Sequence, residues 1–584
     1  MMMMTMVVTI LTMLIFVSFQ HTQISRLSSL LSPQTIVVVQ VDLVPFVRYS
    51  MAPAADHMWL TIMLDVNVRS FLIFTTLTLL LSFLWRYYVT KVYQPGRRLK
   101  GPWGVPLFGN VFQLGSEPHL SMTKLRYVYG DIFRIHIGRY PVVFVNGYHC
   151  IKQALLSQSV VFADRPQFPS YRHISDGLSL AFARYGDVYR MQKKIGNNAL
   201  RIFTHGRKLE TLEGKTSSEI LEMISGLTNN NNKCGNIIDP QQAIKICTAN
   251  IICSVAFGKR YAHQDEQLQR VVTLSDRFND GVGLANPTDF MPWLKFIPNP
   301  KAKQLMEILS ELNDWMSRKL NERRQRYKSG QQRDIIDYLL KSSRETEREL
   351  VREIGITEDS ILAIARDVFG AGFDTTSTCI NWALLYLAKY PNIQNKIAHE
   401  LDKVVGRDRL PALADRDQLV YTGAFILELF RHSSVVPFGL PHATTRDTTL
   451  EDYFLPKGTV VFFNLWSVNH DPDVWPEPSR FSPERFLTCN GTAIDKEASN
   501  KTLTFSAGRR KCLGEHLAWI EVFLAISILV QQCEFAETQS GLPSLDGRYG
   551  LALRPQSFQL VIKPREVNCN YSREMELFPP DLKI

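Results

Sequence analysis

One cysteine of this chain has neighbours that favour its ionised form. Cys512 lies in FSAGRRKCLG, residues 505–514, behind two arginines and a lysine and ahead of an apolar, helix-like run, EHLAWIEVFLAISILV. Cationic neighbours and a helix N-terminus both lower the pKa of a thiol and favour the thiolate. A thiolate serves as a nucleophile or as a metal ligand, and the rest of the chain must decide between these two chemistries.

A second group of polar residues interrupts an apolar stretch, TEDSILAIARDVFGAGFDTTSTCINWALLYLAKYP. Asp374, Thr375 and Thr376 follow Gly370 and Gly372, and each of these glycines costs about 1 kcal/mol against alanine in a helix. Glycines let another group approach the backbone closely, and a threonine hydroxyl that bonds back to a carbonyl is expected to open the helix locally.

A third motif, ILELFRHSS, places Glu428 and Arg431 three residues apart on one predicted helix face. Their apolar neighbours indicate burial, and buried charges must be paired. Arg485 of FSPERF is a candidate third member of a closed triad.

The elements that must position these residues are mainly helical. Thr357 is a plausible N-cap of the long helix and Pro391 marks its end, which gives about 32 residues and about 48 Å. Two β-like runs, DIFRIHIG and YPVVFVNG, are separated by Arg139. Helical patterns dominate residues 185–405, and short strands gather in small groups, so we predict an α+β, predominantly helical fold.

Composition narrows the functional class. The 584 residues carry a net charge of +10, but the basic residues are dispersed, which argues against nucleic-acid binding. An anionic membrane surface or an acidic partner protein fits this charge better. Nine cysteines without a CxxC pair support neither a disulfide framework nor a zinc knuckle.

Two N-terminal segments are apolar. Residues 71–85 (FLIFTTLTLLLSFLW) predict a transmembrane helix over about 70–88, and the basic residues that follow it place the later chain in the cytosol. Residues 1–19 fit a second span, a cleaved signal, or an extension before a true start at Met51 or Met58. We divide the chain into an extension (1–50), an anchor region (51–94), a Pro/Gly-rich linker (95–110), a catalytic domain (111–565) and a tail (566–584).

These motifs together resemble one family. FSAGRRKCLG fits the haem-binding loop F-x-x-G-x-R-x-C-x-G of the cytochromes P-450, AGFDT the oxygen-binding helix, ELFR the E-x-x-R helix, and PERF the arginine that completes the triad. The motifs occur in family order, and the resemblance covers roughly residues 95–565. It implies a P-450 fold with a long central oxygen-binding helix and small β-sheets, and it makes Cys512 the axial thiolate of a haem iron.

The resemblance also implies roles for individual residues. Phe505, Gly508 and Gly514 would shape the loop beneath haem b, and Ala371 and Gly372 would line the oxygen pocket. Thr375, helped by Asp374, would deliver protons to the oxygen being reduced. The residues expected to hold the haem propionates are Arg510, His442, Arg165, Tyr189 and Lys193. Tyr189 and Lys193 depart from the usual Trp/Arg pair, so that contact is expected to be weaker.

The closer likeness is to the animal microsomal branch and its family 1, whose members oxidise planar aromatic compounds. It is carried by FRHSSVVPFGLPHATTRDT, YFLPKGTVVFFNLWSVNHDP and NPTDFMPWLKFIPNP. The pocket residues it suggests are Phe182, Phe278, Ala371 and Leu440.

We therefore expect a monooxygenase of the endoplasmic reticulum membrane, with its catalytic domain facing the cytosol. It would contact membrane lipid, bind a hydrophobic small molecule, consume O2 and take NADPH electrons from a separate flavoprotein reductase, with cytochrome b5 as an additional candidate partner. No Rossmann G-x-G-x-x-G motif indicates a nicotinamide or flavin domain of its own. The alternatives are a steroid-hydroxylating monooxygenase, a non-catalytic haem sensor and a cysteine hydrolase.

Overall fold

The computed structural model describes residues 70–82, 99–138, 140–228, 236–282, 287–296, 299–327, 332–345 and 354–566. The chain forms two compact units, Met1–Thr90 and Lys91–Ile584. The second unit carries the three motifs identified above.

Helices make up most of the second unit. The α-helices span Val111–Leu114, Pro118–Tyr129, Tyr148–Lys152, Asp187–Phe203, Arg207–Thr228, Gln241–Ala256, Glu266–Val282, Pro287–Phe290, Pro300–Arg326, Ile335–Glu345, Glu358–Lys389, Pro391–Val404, Val420–Ser433, Leu465–Asn469, Lys496–Lys501 and Glu515–Gln532. Short 3-10 or π turns cover Gln153–Ser157, Pro169–Gly177, Pro292–Phe296, Leu413–Asp415, Pro483–Phe486 and Gly508–Arg510.

The described strands form three small sheets. They are β1 (Ile132–Ile137), β2 (Tyr140–Val145), β3 (Asn236–Ile238), β4 (His442–Ala443), β5 (Thr448–Leu450), β6 (Tyr453–Leu455), β7 (Val460–Phe463), β8 (Cys533–Glu537) and β9 (Leu560–Pro564). Their orders are β1-β2-β7-β4, β3-β9-β8 and β5-β6. The predicted α+β, mainly helical fold is confirmed, and the two predicted β-like runs form β1 and β2, which pair antiparallel.

The Glu358–Lys389 helix, called the central helix below, runs through the core. Thr357 caps it as predicted, because its side chain accepts a hydrogen bond from the Ser360 amide at 3.1 Å, and the Ser360 hydroxyl accepts one from the Thr357 amide at 2.9 Å. The helix is 32 residues long, and the next helix begins at Pro391. Trp382 and Tyr386 are fully buried within the largest apolar cluster, and burial of such side chains typically stabilises a fold by about 1.5–3 kcal/mol each. The helix is therefore a rigid support for the polar residues on it.

Residues 100–110 belong to the body of the second unit. The Arg134 amide donates to the Lys100 carbonyl at 2.8 Å, the His136 amide donates to the Asn110 side chain at 2.7 Å, and Gly109 forms a bridge with Ile137. The predicted linker is therefore corrected for this part, which lies along the edge of β1. Residues 95–98 lie outside the described residues.

The first unit contains a described helix over residues 70–82. Ile73, Leu79 and Leu81 on it are 61%, 66% and 61% exposed. Among the described residues, none of the helices has the length and apolarity that crossing a bilayer requires. The rest of the predicted span, residues 83–88, lies outside the described residues, as do residues 1–69 and 567–584.

Candidate functional site

A cavity of about 510 Å³ lies between the central helix and the loop that carries Cys512. It brings together residues from distant parts of the sequence. The predicted site residues that line it are Arg165, Phe182, Tyr189, Lys193, Phe278, Ala371, Gly372, Asp374, Thr375, Leu440, His442, Phe505, Arg510, Cys512 and Gly514.

The loop before Cys512 is tightly folded. The Cys512 amide donates to the Phe505 carbonyl at 3.0 Å, and residues Gly508–Arg510 form a 3-10 turn. Gly508 has φ +70°, and a Cβ there would lie 1.8 Å from the Leu155 carbonyl oxygen. Gly508 does not line the cavity; it allows the loop to approach the Leu155 backbone.

Gly514 has an unstrained backbone and open space beside it. Its φ is −91°, and a Cβ would meet no protein atom within 4 Å. The surrounding protein atoms therefore do not require glycine at this position, and Gly514 lines the cavity at the N-cap of the Glu515–Gln532 helix.

Two opposing effects act on the Cys512 thiol. The residue is exposed to the cavity, yet the protein around it withdraws the thiol from bulk water and raises its pKa, while the backbone amides of Gly514 and Glu515 and the charge of Lys193 lower it. Burial has the largest effect, so the pKa of Cys512 in the polypeptide alone is raised and not lowered as expected. A coordinated metal ion deprotonates a thiol outright. Histidine is not among the groups with the largest effect on the Cys512 pKa. The cysteine hydrolase alternative requires a histidine beside the thiol as a general base.

Two arginines are buried beside the cysteine loop. Arg510 donates from Nε to the Ala163 carbonyl at 2.7 Å, and Arg165 donates from Nη1 to the Pro441 carbonyl at 2.9 Å and to the Leu440 carbonyl at 3.1 Å. Both also bond the segment that carries Phe182: Arg165 donates to the Ala181 carbonyl, and Arg510 to the Leu180 and Ala183 carbonyls. The two guanidinium groups therefore fix the cavity wall.

The same arginines leave an excess of buried positive charge. Burial, together with the nearby charge of Arg510, lowers the pKa of Arg165 to about 9. Burial also lowers the pKa of Arg510, and it lowers that of Lys193 to about 8 with a further contribution from Arg510. Asp164 is the one carboxylate among the groups with the largest effect on this pair, and it raises the pKa of both Arg165 and Arg510. A ligand with carboxylate groups would compensate the uncovered charge.

The remaining predicted propionate partners have backbone partners as well. His442 of β4 bonds through Nδ1 to the Phe162 carbonyl at 2.5 Å, and burial holds the pKa of its imidazole well below the ordinary value. Tyr189 donates to the Arg509 carbonyl at 2.8 Å, and Lys193 donates to the same oxygen. Tyr189 and Lys193 thus hold the cysteine loop while both also line the cavity.

The central helix forms the facing wall. Ala371 and Gly372 line the cavity, and a Cβ at Gly372 would lie 2.9 Å from Ile252 Cδ1, so glycine allows close helix packing here. The Thr375 hydroxyl donates to the Ala371 carbonyl at 2.8 Å, as expected. The helix nevertheless stays α-helical from 358 to 389, so the expectation that this bond opens it is wrong.

Asp374 is held in an ion-pair network. Its carboxylate pairs with Arg554, whose Nη1 lies 2.9 Å from Asp276 Oδ1, and Lys245 donates to the Asp276 carboxylate at 2.7 Å and 2.8 Å. Burial raises the pKa of Asp374, and the charge of Arg554 opposes part of that rise. The charges of the two carboxylates, Asp374 and Asp276, are balanced by those of Arg554 and Lys245. The Arg554 pairing was not evident from the sequence because 180 residues separate Asp374 from Arg554.

The predicted Glu428–Arg431–Arg485 triad is present. Arg431 donates from Nε and Nη2 to the Glu428 carboxylate at 2.7 Å and 2.8 Å, and Arg485 donates from Nε at 3.0 Å. Glu428 and Arg431 are fully buried. The triad joins the Val420–Ser433 helix to the Pro483–Phe486 turn and lies outside the cavity lining.

Phe182 and Phe278 both line the cavity and are half-buried. The ring centroid of Phe182 lies 4.3 Å from that of Tyr171.

Asp367, two helical turns before Asp374, accepts hydrogen bonds from the Ser179 hydroxyl at 2.7 Å and the Leu180 amide at 2.6 Å. Burial raises the pKa of Asp367 to about 6.

Sequence reasoning missed Asp367 and Glu521, both of which line the cavity. A signal was available for each. Asp367 and Asp374 are seven residues apart on one helix face, and Glu521 is the lone acid of IEVFLAISILV. An unpaired acid in an apolar helix is costly and often functional.

The cavity residues fit a haem. Cys512 faces the cavity as a thiolate ligand would, and the uncompensated charge of Arg165 and Arg510 suits carboxylate groups. Apolar side chains line much of the remaining wall.

Comparison with known proteins agrees with this fit. A family model described as Cytochrome P450 matches residues 99–562. The chain is 41% identical over 490 residues to Cytochrome P450 1A1 of Canis lupus familiaris and 40% identical over 491 residues to that of Rattus norvegicus; each alignment covers 82% of this chain and 93% of the relative. It is 38% identical over 515 residues to Cytochrome P450 1A1 of Chaetodon capistratus, covering 86% of this chain and 98% of the relative. The family match spans most of the chain and includes the cysteine loop, the central helix and the triad, and the chain therefore belongs to the cytochrome P450 family.

Proposed function

We propose that this chain is a membrane-anchored monooxygenase that inserts one oxygen atom from O2 into a flat aromatic substrate and reduces the other to water. As a member of its family, the chain is a haem-containing oxidoreductase that incorporates oxygen from O2. The observation that carries the proposal is a single cavity that contains Cys512, the Thr375 hydroxyl and the rings of Phe182 and Phe278. The similarity to relatives named Cytochrome P450 1A1 supports the aromatic substrate.

Cys512 is the proposed axial ligand, and Arg165, Arg510 and His442 are the proposed partners of the propionates. When bound, haem supplies the activation of O2, which a thiolate ligand favours. The chain contributes a rigid loop, set by Gly508, that holds the sulfur at the cavity wall. Tyr189 and Lys193 support this loop through the Arg509 carbonyl.

Thr375 is the proposed proton relay of the oxygen side. Its hydroxyl proton points to the Ala371 carbonyl, which leaves the oxygen lone pairs free to accept a proton on the cavity side. Asp374, the residue before Thr375, positions this part of the helix through its ion pair with Arg554.

The proposed substrate slot is walled by aromatic rings. Phe182 and Phe278 contribute aromatic rings to the lining, and offset stacking contributes about 0.5–1.5 kcal/mol per ring beyond area burial. Leu440 and Ala371 complete the apolar wall. We expect a flat substrate that stacks on both rings to bind better than a bulky steroid.

The proposal also includes an electron donor and a location in the cell. The missing dinucleotide-binding motif implies NADPH oxidation by a separate flavoprotein reductase, with cytochrome b5 as an additional candidate donor. The exposed apolar side chains of the 70–82 helix suit lipid, and the basic residues after it suit the cytosolic side of the endoplasmic reticulum membrane.

The substrate proposal is tested with the full chain, a reductase and NADPH. O-dealkylation of a planar alkoxy-aromatic probe should exceed hydroxylation of a steroid. Phe278→Ala and Phe182→Ala should each raise KM for the flat probe by roughly tenfold or less, consistent with the loss of one stacking contact. Phe454→Ala, on the surface strand β6, is the matched control and should leave KM unchanged.

Two outcomes would contradict the proposal. Efficient steroid hydroxylation without turnover of the flat probe would favour the steroid-hydroxylating alternative. Haem binding without turnover of either compound would favour the sensor alternative.

A further inference from the structure

Three oxidisable side chains, called the aromatic row below, lie along the central helix. Trp382, Tyr386 and Tyr390 are spaced four residues apart, so they follow one another on one helix face. The ring centroids of Trp382 and Tyr386 are 5.7 Å apart, and those of Tyr386 and Tyr390 are 6.3 Å apart. Both pairs are stacked, with interplanar angles of 22° and 20°. Indole and phenol groups can lose one electron, and rings this close can pass it between them.

The aromatic row connects the cavity wall with the end of the central helix. Cys379, one turn before Trp382, lines the cavity. The Trp382 indole donates at 2.9 Å to the carbonyl of Leu553, which directly follows two residues of the cavity wall. Trp382 and Tyr386 are each 1% exposed, whereas Tyr390, at the C-cap of the helix, is half-buried. The row therefore begins one layer behind the cavity wall and ends where solvent reaches it.

Tyr386 has a partner that can take its proton. Nε2 of His432 lies 2.9 Å from the Ser479 carbonyl, which can only accept a hydrogen bond, so Nε2 carries the ring proton. Burial lowers the pKa of His432 to about 4, so the imidazole is neutral at neutral pH and its Nδ1 is an acceptor. The Tyr386 hydroxyl, 2.7 Å from this Nδ1, therefore donates to it. An oxidised phenol is a far stronger acid than an imidazolium, so even this weakly basic imidazole takes the proton.

We infer that the aromatic row carries oxidising equivalents from the haem site to the surface, and that His432 accepts the Tyr386 proton. The row removes oxidising equivalents that would otherwise attack the cavity residues when no substrate is bound. This inference rests on the proposed haem ligation by Cys512, and it adds a second function, protection from oxidation, to the proposed monooxygenase activity.

The transfer balances in atoms and electrons. The oxidant is hydrogen peroxide, which accepts two electrons and two protons at the haem and becomes two molecules of water. Tyr386 and Tyr390 each lose one electron as their phenol O–H bond breaks, and Trp382 passes the electrons on. The Tyr386 proton moves to His432 Nδ1 and the Tyr390 proton to solvent, which supplies the protons consumed at the haem. A small reductant such as ascorbate then returns one electron and one proton to each phenoxyl radical.

The first test detects the radical. The haem-loaded full chain without substrate is mixed with hydrogen peroxide and rapidly frozen, and electron paramagnetic resonance should show a tyrosyl radical. Tyr386→Phe should lose most of this signal. Tyr261→Phe, which removes a buried phenol outside the aromatic row, should keep it. A wild-type chain without the signal, or an unchanged signal in Tyr386→Phe, would overturn the inference.

The second test locates the phenolic proton. In D2O, the radical of the wild-type chain should show a coupling to an exchangeable deuteron in electron–nuclear double resonance, because the deuteron on His432 Nδ1 stays hydrogen-bonded to the phenoxyl oxygen. His432→Gln, whose amide does not take up a proton, should reduce the yield of the radical. A radical without this coupling, or an undiminished yield in His432→Gln, shows that His432 is not the proton acceptor.

The third test measures protection. With hydrogen peroxide and ascorbate present, the haem absorbance of Tyr386→Phe and Trp382→Phe should bleach several-fold faster than that of the wild-type chain. Both variants should show the thiolate carbon monoxide spectrum before peroxide is added, which establishes that the haem site has formed. Equal bleaching rates in wild type and both variants would contradict the protective function.

The two proposals fail in different ways. If the wild-type chain lacks the thiolate spectrum and turnover, the proposed function fails, whatever radical peroxide produces. If the wild-type chain has this spectrum and turns over the flat probe while Tyr386→Phe keeps the full radical signal, only the role of the aromatic row fails.

Discussion

At the scale of single residues, burial controls the chemistry of this cavity more than sequence neighbours do. The run of cations before Cys512 suggests a lowered thiol pKa, yet burial raises it. The same effect lowers the pKa of Arg165 and raises that of Glu521. Burial depends on the whole fold, and for this reason the reactive loop could be recognised from ten residues while its electrostatics could not.

The pH dependence of stability should report on Glu521. Its carboxyl pKa is about 8 in the folded chain against an ordinary value of 4.5, so between these values the folded state holds more protons than the unfolded state. Stability then falls as the pH rises, by up to about 1.4 kcal/mol per pH unit from this group. Glu521→Gln lacks this loss, and its unfolding temperature should gain on wild type between about pH 5 and about pH 8. A constant difference across this range would mean that Glu521 is already ionised in the folded chain.

At the scale of elements, the cysteine loop depends on one glycine and not on the other. Gly508→Ala places a Cβ against the Leu155 carbonyl at a positive φ, so it should destabilise the chain by at least about 1–3 kcal/mol. Gly514→Ala meets no protein atom and should change stability by about 0.5 kcal/mol or less. Thermal unfolding of the two variants checks this, and equal losses would contradict the loop geometry.

The buried triad should matter far more than a surface pair of the same spacing. Glu428→Ala leaves Arg431 buried without its carboxylate, which costs about 3–5 kcal/mol. Glu477→Ala breaks the exposed pair with Arg480, and exposed pairs contribute about 0–1 kcal/mol. Denaturant unfolding of both variants measures the difference. A loss for Glu428→Ala as small as for Glu477→Ala would show that the triad is not closed in solution.

Elements with local signals were predictable, and contacts between distant elements were not. The capped central helix, the first two strands and the triad follow from short motifs and hydrophobic patterns. Two other contacts could not be predicted because nothing in the sequences of the joined segments indicates them. These are the packing of residues 100–110 on β1 and the hydrogen bonds of Arg510 to the Leu180 and Ala183 carbonyls. These contacts arise only when the core brings the segments together.

At the scale of the whole molecule, anchoring should depend on the segment around the 70–82 helix. Deletion of residues 1–50 should leave the chain in the membrane fraction, because residues 71–85 carry the apolar surface. Deletion of residues 1–92 should weaken membrane association and keep the thiolate spectrum, since the second unit contains the cavity. Sedimentation after a high-salt wash measures both, and release of the shorter deletion would make residues 1–50 the anchor.

The central claim is that Cys512 is the thiolate ligand of a haem, and carbon monoxide difference spectroscopy of the reduced protein tests it most directly. The wild-type chain and Cys489→Ala, which changes an exposed cysteine away from the cavity, should both show the long-wavelength Soret band of thiolate ligation. Cys512→Ala should lose this band and all oxygenation. A wild-type chain without the band, or a Cys512→Ala variant that keeps it, would contradict the account.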